Sequence, residues 1–385
     1  MAEHQQVFDS IDSFTPEFIK FWEDVGNIES PTDFKEGVDN VGNYFLEYAK
    51  KEGWETEVFN HHIVGNVVCI TMNASSKEKP ITLSGHMDTA HKIGSFGTPA
   101  VKIDENNIYG PGVMDCKGGL VAAVLAMKAL KENGFTARPI RLLLQSDEEN
   151  VSAYSNKATI NYICSKASDS IAFLNCESTR KDTLVLWRKG CLRYKVTVKG
   201  KSIHGSRCAE GGVSAVQEAC YKIIKLEEYP KEVDGLSFNC GIINGGVLAN
   251  TVPDLCVFNA EIRYSSQKEL EDGKKILEEI LGTTHLQGTT TAWEVESYCP
   301  AMEKSEKNFK LLDKINEIYA KCQMPQLKAR QSLGGSDAAA VTVAGIPCVD
   351  AIGVAGDFIH TPNEYATLSS LPEAAKRIAA VCIYI

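Results

Sequence analysis

The sequence predicts an α/β domain interrupted by a smaller α+β domain. The α/β prediction rests on near-continuous apolar runs, which are typical of central strands buried on both faces of a sheet. Helix-like segments separate these runs, and such alternation indicates a sheet that helices cover on both faces. The runs are "PITLSG" (80–85), "PIRLLLQS" (139–146) and "SIAFLN" (170–175).

The clearest helix is predicted in "CKGGLVAAVLAMKALKENG", which lies between the first two runs. Two of its three basic residues come late, and Asn133-Gly134 is a stop signal for a helix. Apolar residues recur there at helical spacing, at Leu120, Val121, Val124, Met127 and Leu130.

A different pattern begins near Lys189. "LRYKVTVKG" alternates strictly between apolar and polar residues, as a half-exposed strand does. Two helical stretches, 211–228 and 267–281, and two further strand candidates, "FNCGIINGG" and "LCVFNAEIRYSS", follow. These segments predict a small antiparallel sheet with helices on one side. Signals of the first kind return at 346–354 and 368–385. We therefore expect a discontinuous large domain, 1–188 with 298–385, and an inserted domain at 189–297.

Composition narrows the class of protein. The 385 residues are 44% hydrophobic and 23% charged, which is ordinary for a globular protein with more than one core. The net charge of −10 and the lack of basic runs argue against nucleic acid as a partner. No basic-then-apolar leader and no apolar stretch of membrane-spanning length is present, so we expect a cytoplasmic protein. The thirteen cysteines are scattered singly, and we expect most of them to be reduced and buried.

Histidines and carboxylates of the large domain occur where apolar runs or Gly/Pro turns end. Strand ends are the ligand-binding edge of an α/β sheet, so loops distant in sequence can converge there. Two histidines with several carboxylates suit a zinc pair, in which one carboxylate bridges metals about 3.5–4 Å apart. The residues concerned are His86, Asp88, Asp115, Glu148, Glu149, Glu177 and His360.

His86 and Asp88 are two residues apart and therefore face the same way on an extended backbone. Asp88 could then accept the free imidazole N–H of His86 and fix the ring for metal binding. Taken singly, a His-x-Asp pair or a "DEE" triplet is more often ordinary surface chemistry. The ordered set favours the metal site. Cys116 and Cys176 adjoin proposed ligands, and we interpret them as buried spectators.

Nine short motifs follow one another along the chain: "SGHMDT", "YGPGVMDCKGG", "SDEE", "NCES", "SIHGS", "GGVLANTVP", "AEIRY", "GGSDAA" and "IHTPNEY". This ordered set resembles the co-catalytic zinc exopeptidase and deacylase family. That family includes glutamate carboxypeptidase, aminoacylase, acetylornithine deacetylase and succinyl-diaminopimelate desuccinylase, and the run is most similar to bacterial glutamate carboxypeptidase. The resemblance implies a mixed central sheet with helices on both faces and an inserted lid and dimerisation domain with a four-stranded antiparallel sheet and two helices.

The resemblance also implies a role for each site residue. His86 and Glu177 would bind one zinc, Glu149 and His360 the other, and Asp115 would bridge them. Asp88 would support His86, and Glu148 would be the general base for the water between the metals. His204 would stabilise the developing oxyanion, in dimeric members within the partner subunit's site. Substrate carboxylate would be held by Asn250, Arg263, Gly335 and Ser336.

These expectations lead to a zinc-dependent hydrolase that cleaves an amide bond next to a free carboxylate, in a dipeptide, a C-terminal peptide bond or an N-acyl amino acid. An aminopeptidase or tripeptidase is the alternative enzyme, and a non-catalytic binding protein with the same fold is the alternative of another class. Cobalt or manganese could replace zinc on the same ligands. The segment "STRKDTLVLWRKG" has no match to the lysine of glutamate-specific relatives, so specificity for C-terminal glutamate does not follow.

Overall fold

The computed structural model describes residues 3–180, 182–229 and 235–385, and its contacts divide the chain into two compact units. The large unit comprises Met1–Trp187, Lys304–Gln331 and Ser336–Ile385, and the small unit comprises Arg188–Glu303 and Ser332–Gly335. Each unit has its own cluster of buried apolar side chains. The functional assignment of the predicted domains, catalytic for one and lid for the other, stays a prediction.

The helices and strands of the described residues are numbered in chain order through both units. The helices are α1 (Glu3–Asn27), α2 (Lys35–Lys51), α3 (Lys117–Glu132), α4 (Ala158–Ala167), α5 (Ala215–Glu227), α6 (Gln267–Gly282), α7 (Glu306–Lys321), α8 (Asp337–Val343) and α9 (Ser370–Tyr384). The strands are β1 (Glu55–Phe59), β2 (Val67–Met72), β3 (Ile81–His86), β4 (Lys102–Ile103), β5 (Asn107–Tyr109), β6 (Ile140–Gln145), β7 (Ala172–Asn175), β8 (Thr183–Arg188), β9 (Gly190–Lys199), β10 (Ser237–Gly245), β11 (Leu255–Tyr264), β12 (Thr290–Cys299), β13 (Lys328–Ser332), β14 (Cys348–Asp350), β15 (Gly356–Asp357) and β16 (Tyr365–Thr367).

The central sheet of the large unit has the strand order β1-β2-β6-β3-β7-β14-β8-β13. Its middle strands β6, β3, β7 and β14 pair in parallel, while β2 and β8 join them antiparallel. The three apolar runs of the sequence form β3, β6 and β7, and every residue of β3 is buried. A sheet buried on both faces needs such runs, which is why the period-two alternation is missing there.

Helix α3 is more deeply buried than its helical spacing predicts. Besides the expected apolar stripe, the intervening Ala122, Ala123 and Ala126 are fully buried. The reason is that α3 packs against α1 and α9 as well as against β3 of the sheet. A helix covered on several sides carries apolar residues around most of its circumference.

A third, small sheet in the large unit was not expected from the sequence. It has the order β15-β16-β5-β4, and Tyr109 of β5 is paired with Tyr365 of β16. β5 leads into the segment that ends at Asp115, and β16 follows the segment that contains His360. This pairing therefore brings two chain segments together that are about 250 residues apart in sequence.

The small unit contains an antiparallel sheet of order β10-β11-β9-β12 and the helices α5 and α6. Along β9, buried residues alternate with more exposed ones from Leu192 to Lys199, as predicted. The buried side chains of the sheet pack with those of α5 and α6. The predicted fold class is thus confirmed: a mixed α/β sheet and a separate four-stranded antiparallel sheet. Among the described residues, none of the helices has the length and apolarity needed to span a membrane.

Candidate metal centre

His86 is the last residue of β3 and its side chain is almost fully buried. The ring atom Nδ1 lies 2.8 Å from the main-chain oxygen of Asp88, so Nδ1 carries the proton and donates it. Nε2 is then left as the lone-pair nitrogen. It faces Asp115 Oδ1 at 3.3 Å and Glu177 Oε1 at 3.6 Å. The ring is thus held in the tautomer that a metal requires.

Asp115 occupies the centre of the cluster, and its two carboxylate oxygens face different histidines. Oδ1 lies near His86, while Oδ2 is 3.1 Å from His360 Nε2. The same His360 nitrogen lies 3.1 Å from Glu149 Oε2. His86 and Glu177 therefore form one group, His360 and Glu149 form a second, and Asp115 belongs to both.

The ligand atoms of these residues are close enough to share ions. One atom each from His86, Asp115 and Glu149 lies within 4.8 Å of the others, and the same holds for His86, Cys116 and Glu177. Imidazole and carboxylate are suitable donors for zinc. Cys116 is fully buried, and its sulfur accepts the main-chain N–H of His86 at 3.3 Å.

The beginning of α3 lies against the chain that leads to Glu177. A Cβ atom at Gly119 would be 1.9 Å from the main-chain oxygen of Cys176. Only glycine allows this approach, which explains the "KGG" that follows Asp115-Cys116 in the sequence. The glycine thereby links the segment carrying Asp115 to the segment carrying Glu177.

Asp88 makes a different contact from the one expected. Its main-chain oxygen accepts the His86 N–H, whereas its carboxylate oxygen Oδ1 is 3.6 Å from that nitrogen. The fully buried carboxylate instead accepts the main-chain N–H groups of Glu148 at 3.2 Å and Glu149 at 3.1 Å, and the Thr32 hydroxyl at 2.8 Å. Asp88 therefore orients the His86 ring with its backbone and holds the loop of the two glutamates with its side chain.

Opposite charges within the cluster shift its pKa values. Asp115 and Glu149 raise the pKa of His360 to about 11. Burial favours a neutral His86, but its contacts with Cys116, Asp115 and Asp88 raise its pKa well above the usual range. A metal ion that binds either imidazole therefore competes with a proton for the ring nitrogen.

Glu148 differs from Glu149 in its surroundings. The Glu149 side chain contacts His360 and also accepts the Ala90 N–H at 3.0 Å through Oε1. Within the described residues the Glu148 carboxylate has no hydrogen bond. Burial, reinforced by the carboxylates of Glu177 and Asp337, raises the Glu148 pKa well above its usual range. A carboxylate with a raised pKa and no fixed partner is suited to proton transfer.

Two buried residues next to the cluster were missed from the sequence. Glu364 accepts the main-chain N–H groups of Met114 at 2.9 Å and Asp115 at 3.1 Å through Oε1. Its other oxygen lies 2.5 Å from Nε2 of His91. His91 is thus not among the grouped histidines, although it follows His86 by five residues. The "NEY" after His360 was the only available signal for Glu364.

The remaining expected site residues lie mostly in the small unit. His204 is exposed, and its Nδ1 accepts the Ser206 N–H at 3.3 Å, which leaves Nε2 as the nitrogen that can donate. The loop of His204 is joined to that of Asn250, whose oxygen accepts the Gly205 N–H at 2.6 Å. Within this unit, therefore, His204 and Asn250 lie on neighbouring loops.

Arg263 lies on β11 and donates from Nε to Glu261 at 2.5 Å. Glu261 also accepts from Arg193 at 2.6 Å, so two guanidinium groups share one carboxylate. The Gly335 oxygen accepts from Arg188 at 3.1 Å within the same unit.

Ser336 belongs to the large unit and is buried. Its hydroxyl accepts from the Asn175 amide at 2.9 Å and from the Ala338 N–H at 3.3 Å, where it caps α8. The hydroxyl is thus occupied by contacts within the fold.

Histidines and carboxylates gathered near strand ends of a mixed α/β sheet are typical of a metal-dependent hydrolase. The chain belongs to peptidase family M20/M25/M40, whose pattern matches residues 82–383. This confirms the family expected from the motifs and makes the protein a hydrolase of amide bonds from a metal-dependent family.

Named relatives cover most of the chain. Carboxypeptidase G2 from a Pseudomonas species is 27% identical over 366 residues, 93% of this chain and 86% of that protein. A succinyl-diaminopimelate desuccinylase from Rickettsia bellii is 24% identical over 355 residues, 85% of this chain and 87% of that protein. A tripeptidase structure from Staphylococcus aureus is similar with a TM-score of 0.77 at 22% identity, covering 95% of this chain and 97% of that chain. The structural similarity concerns the fold.

Proposed function

We propose that the protein is a two-zinc hydrolase that cleaves an amide bond next to a free carboxylate. The observation that carries the proposal is the division of the Asp115 carboxylate, with Oδ1 3.3 Å from His86 Nε2 and Oδ2 3.1 Å from His360 Nε2. A carboxylate between two imidazoles, each with a further glutamate, is the donor set of a bridged metal pair. His86 and Glu177 would hold one ion, and Glu149 and His360 the other.

Zinc, when bound, polarises the scissile carbonyl and lowers the pKa of the attacking water to about 7. Glu148 takes the proton of that water and passes it to the leaving amine, because its carboxylate has no hydrogen bond within the described residues that it would have to break. His204 donates from Nε2 to the developing oxyanion. Asp88 keeps His86 and the main chain of Glu148 in place. Cobalt or manganese on the same donors is the variant of this proposal.

The preference for a substrate carboxylate rests on charge. Arg193 and Arg263 share Glu261, so these three side chains retain one net positive charge. That charge attracts a carboxylate and repels a substrate ammonium group. Asn250, Gly335 and Ser336 would complete the binding set, with Ser336 acting through its main chain because its hydroxyl is engaged. The names of the carboxypeptidase and desuccinylase relatives agree with this preference.

We further propose a homodimer formed through the small unit. Strand β10 is an edge of its sheet, and exposed apolar side chains lie on it and in the loop after it. Exposed edges and apolar patches of this kind favour pairing with another chain. The exposed apolar side chains are Ile242, Ile243, Val247 and Leu248. Light scattering should give twice the mass of the chain, and Ile242→Lys should shift the equilibrium to monomer.

A substrate comparison tests the proposed activity. Zinc-loaded protein is incubated with dipeptides, their C-terminal amides and N-acyl amino acids, and released amine is measured. We expect hydrolysis to require the free carboxylate and to tolerate an acylated amino group. Hydrolysis that instead requires a free amino group and accepts C-terminal amides would support the aminopeptidase or tripeptidase alternative. Absence of hydrolysis across the series with two zinc ions bound would support a non-catalytic protein.

A further inference from the structure

Glu364 holds the backbone of Asp115 from within the protein. Its side chain is fully buried, and one oxygen, Oε1, accepts two successive main-chain N–H groups, those of Met114 and Asp115. The main-chain oxygen of Glu364 also accepts the Gly110 N–H at 3.3 Å. Side chain and backbone of one residue therefore fix the segment from Gly110 to Asp115.

The segment 360–364 contacts Asp115 at two points, its carboxylate and its main-chain N–H. His360, four residues earlier, faces the Asp115 carboxylate at 3.1 Å, while Glu364 accepts the Asp115 amide at 3.1 Å. Because both the main-chain N–H and the carboxylate of Asp115 are held, its side chain has little freedom of direction. The position of the shared carboxylate therefore depends on Glu364.

His91 determines the position of Glu364 in turn. Its Nε2 lies 2.5 Å from Glu364 Oε2, and its ring packs edge-on against Phe96 at 4.9 Å between centroids. His91 is itself buried, and Phe96 belongs to the loop that follows it. The orientation of Glu364 is thus set by a residue 273 positions away in sequence.

We propose that Glu364, held by His91, is a positioning residue that fixes Asp115 so that one carboxylate can serve two metal ions. This inference rests on the proposed zinc pair. Residues that orient a ligand typically change metal affinity by about 10–100-fold when they are replaced. Because Asp115 is shared, loss of Glu364 should weaken both sites rather than one.

The chain provides a matched control in Glu218. This glutamate is also fully buried and accepts two successive main-chain N–H groups, from His285 at 3.1 Å and Leu286 at 2.8 Å. It belongs to the small unit, where it pairs with Lys222. Glu218→Ala therefore removes the same kind of buried acceptor without touching the Asp115 segment.

The experiment is a zinc titration of the metal-free wild type and of Glu364→Ala, Glu364→Gln, His91→Leu and Glu218→Ala, with thermal unfolding of each metal-free protein. Glu364→Ala should bind both ions about 10–100-fold more weakly. Glu364→Gln keeps an oxygen for the two N–H groups and should recover most of that affinity. Glu218→Ala should unfold at lower temperature with wild-type zinc affinity. Cobalt-loaded Glu364→Ala should also have an altered visible spectrum, and cobalt-loaded Glu218→Ala should not.

Each outcome supports or contradicts the inference. Wild-type zinc affinity in folded Glu364→Ala, or an equal loss in Glu218→Ala, would show that Glu364 only stabilises the fold. If Glu364→Ala does not fold, His91→Leu decides, because unchanged affinity there contradicts the positioning role. A wild type that binds fewer than two ions contradicts the proposed function itself, whatever the variants do.

Discussion

The adjacent residues Glu148 and Glu149 are expected to respond in opposite ways to the same substitution. Their main-chain N–H groups donate to the same Asp88 carboxylate, at 3.2 and 3.1 Å. Their side chains differ: Glu149 Oε2 is 3.1 Å from His360 Nε2, whereas the Glu148 carboxylate has no hydrogen bond within the described part of the chain. Glutamine at either position keeps the size of the side chain and removes its negative charge.

Glu148→Gln removes a proton acceptor but no side-chain hydrogen bond within the described residues, so the fold and the metal donors should stay intact. The value of kcat should fall by about 10²–10⁴, the usual contribution of a positioned general base. This corresponds to roughly 3–5 kcal/mol in the activation barrier, at about 1.4 kcal/mol for each tenfold change. Zinc content should remain at two ions per chain.

Glu149→Gln should instead weaken one metal site. The substitution takes the charge from the carboxylate that faces His360, while the Ala90 N–H still has an oxygen to bind. Zinc content should then fall toward one ion per chain, and added zinc should restore part of the activity. Metal analysis and kcat at saturating zinc, measured on both variants, separate the two roles. The assignments are wrong if Glu148→Gln loses zinc and metal-replete Glu149→Gln loses turnover.

Three further expectations concern the same centre. Asp115→Ala should abolish both zinc ions, whereas His86→Ala and His360→Ala should each weaken one site; unchanged stoichiometry in the Asp115 variant would contradict a shared ligand. Zinc binding should release protons at pH 7 and weaken as the pH falls, because the raised histidine pKa values, about 11 for His360, make the ions compete with protons. Calorimetry in buffers of different ionisation enthalpy measures how many protons are released for each zinc ion bound. His204→Ala should lower kcat about 10²–10³-fold with little change in KM, and a change in KM alone would make His204 a binding residue.

The predictable part of the structure is what short sequence patterns determine. The runs that form β3, β6 and β7 are apolar because both faces of the sheet are covered, so the pattern identifies them directly. His86 and Glu148 occur just where two of those strands end, and the edge of an α/β sheet then groups them. The order of the short motifs indicated the family to which the chain belongs. These are local signals, and they predicted the fold class correctly.

The parts that the sequence did not predict depend on long-range contacts. The pairing of β5 with β16 joins short strands of three residues each, too short to give a period-two pattern. The contact between His91 and Glu364 spans 273 positions, and neither residue is marked by a strand end of the central sheet. The burial of most of α3 follows from the packing of α1 and α9, not from its own spacing.

Asp88 illustrates why a correct residue can be given an incomplete role. The two-residue spacing predicted that its carboxylate would hold the His86 ring, but the shorter contact, 2.8 Å, comes from its main-chain oxygen. The carboxylate is thereby free to accept from the backbone of Glu148 and Glu149, 60 and 61 positions away. Asp88 consequently positions three residues: His86, a ligand of one proposed ion; Glu148, the proposed base; and Glu149, a ligand of the other proposed ion.

Asp88→Asn would keep the main-chain contact to His86 while weakening the two backbone contacts, because only one of its side-chain heteroatoms remains an acceptor. It should therefore disturb Glu148 and Glu149 more than His86, with kcat and the affinity of the His360 site falling together while the His86 site retains its zinc. Selective loss of the His86 site would show instead that the carboxylate acts mainly on the imidazole.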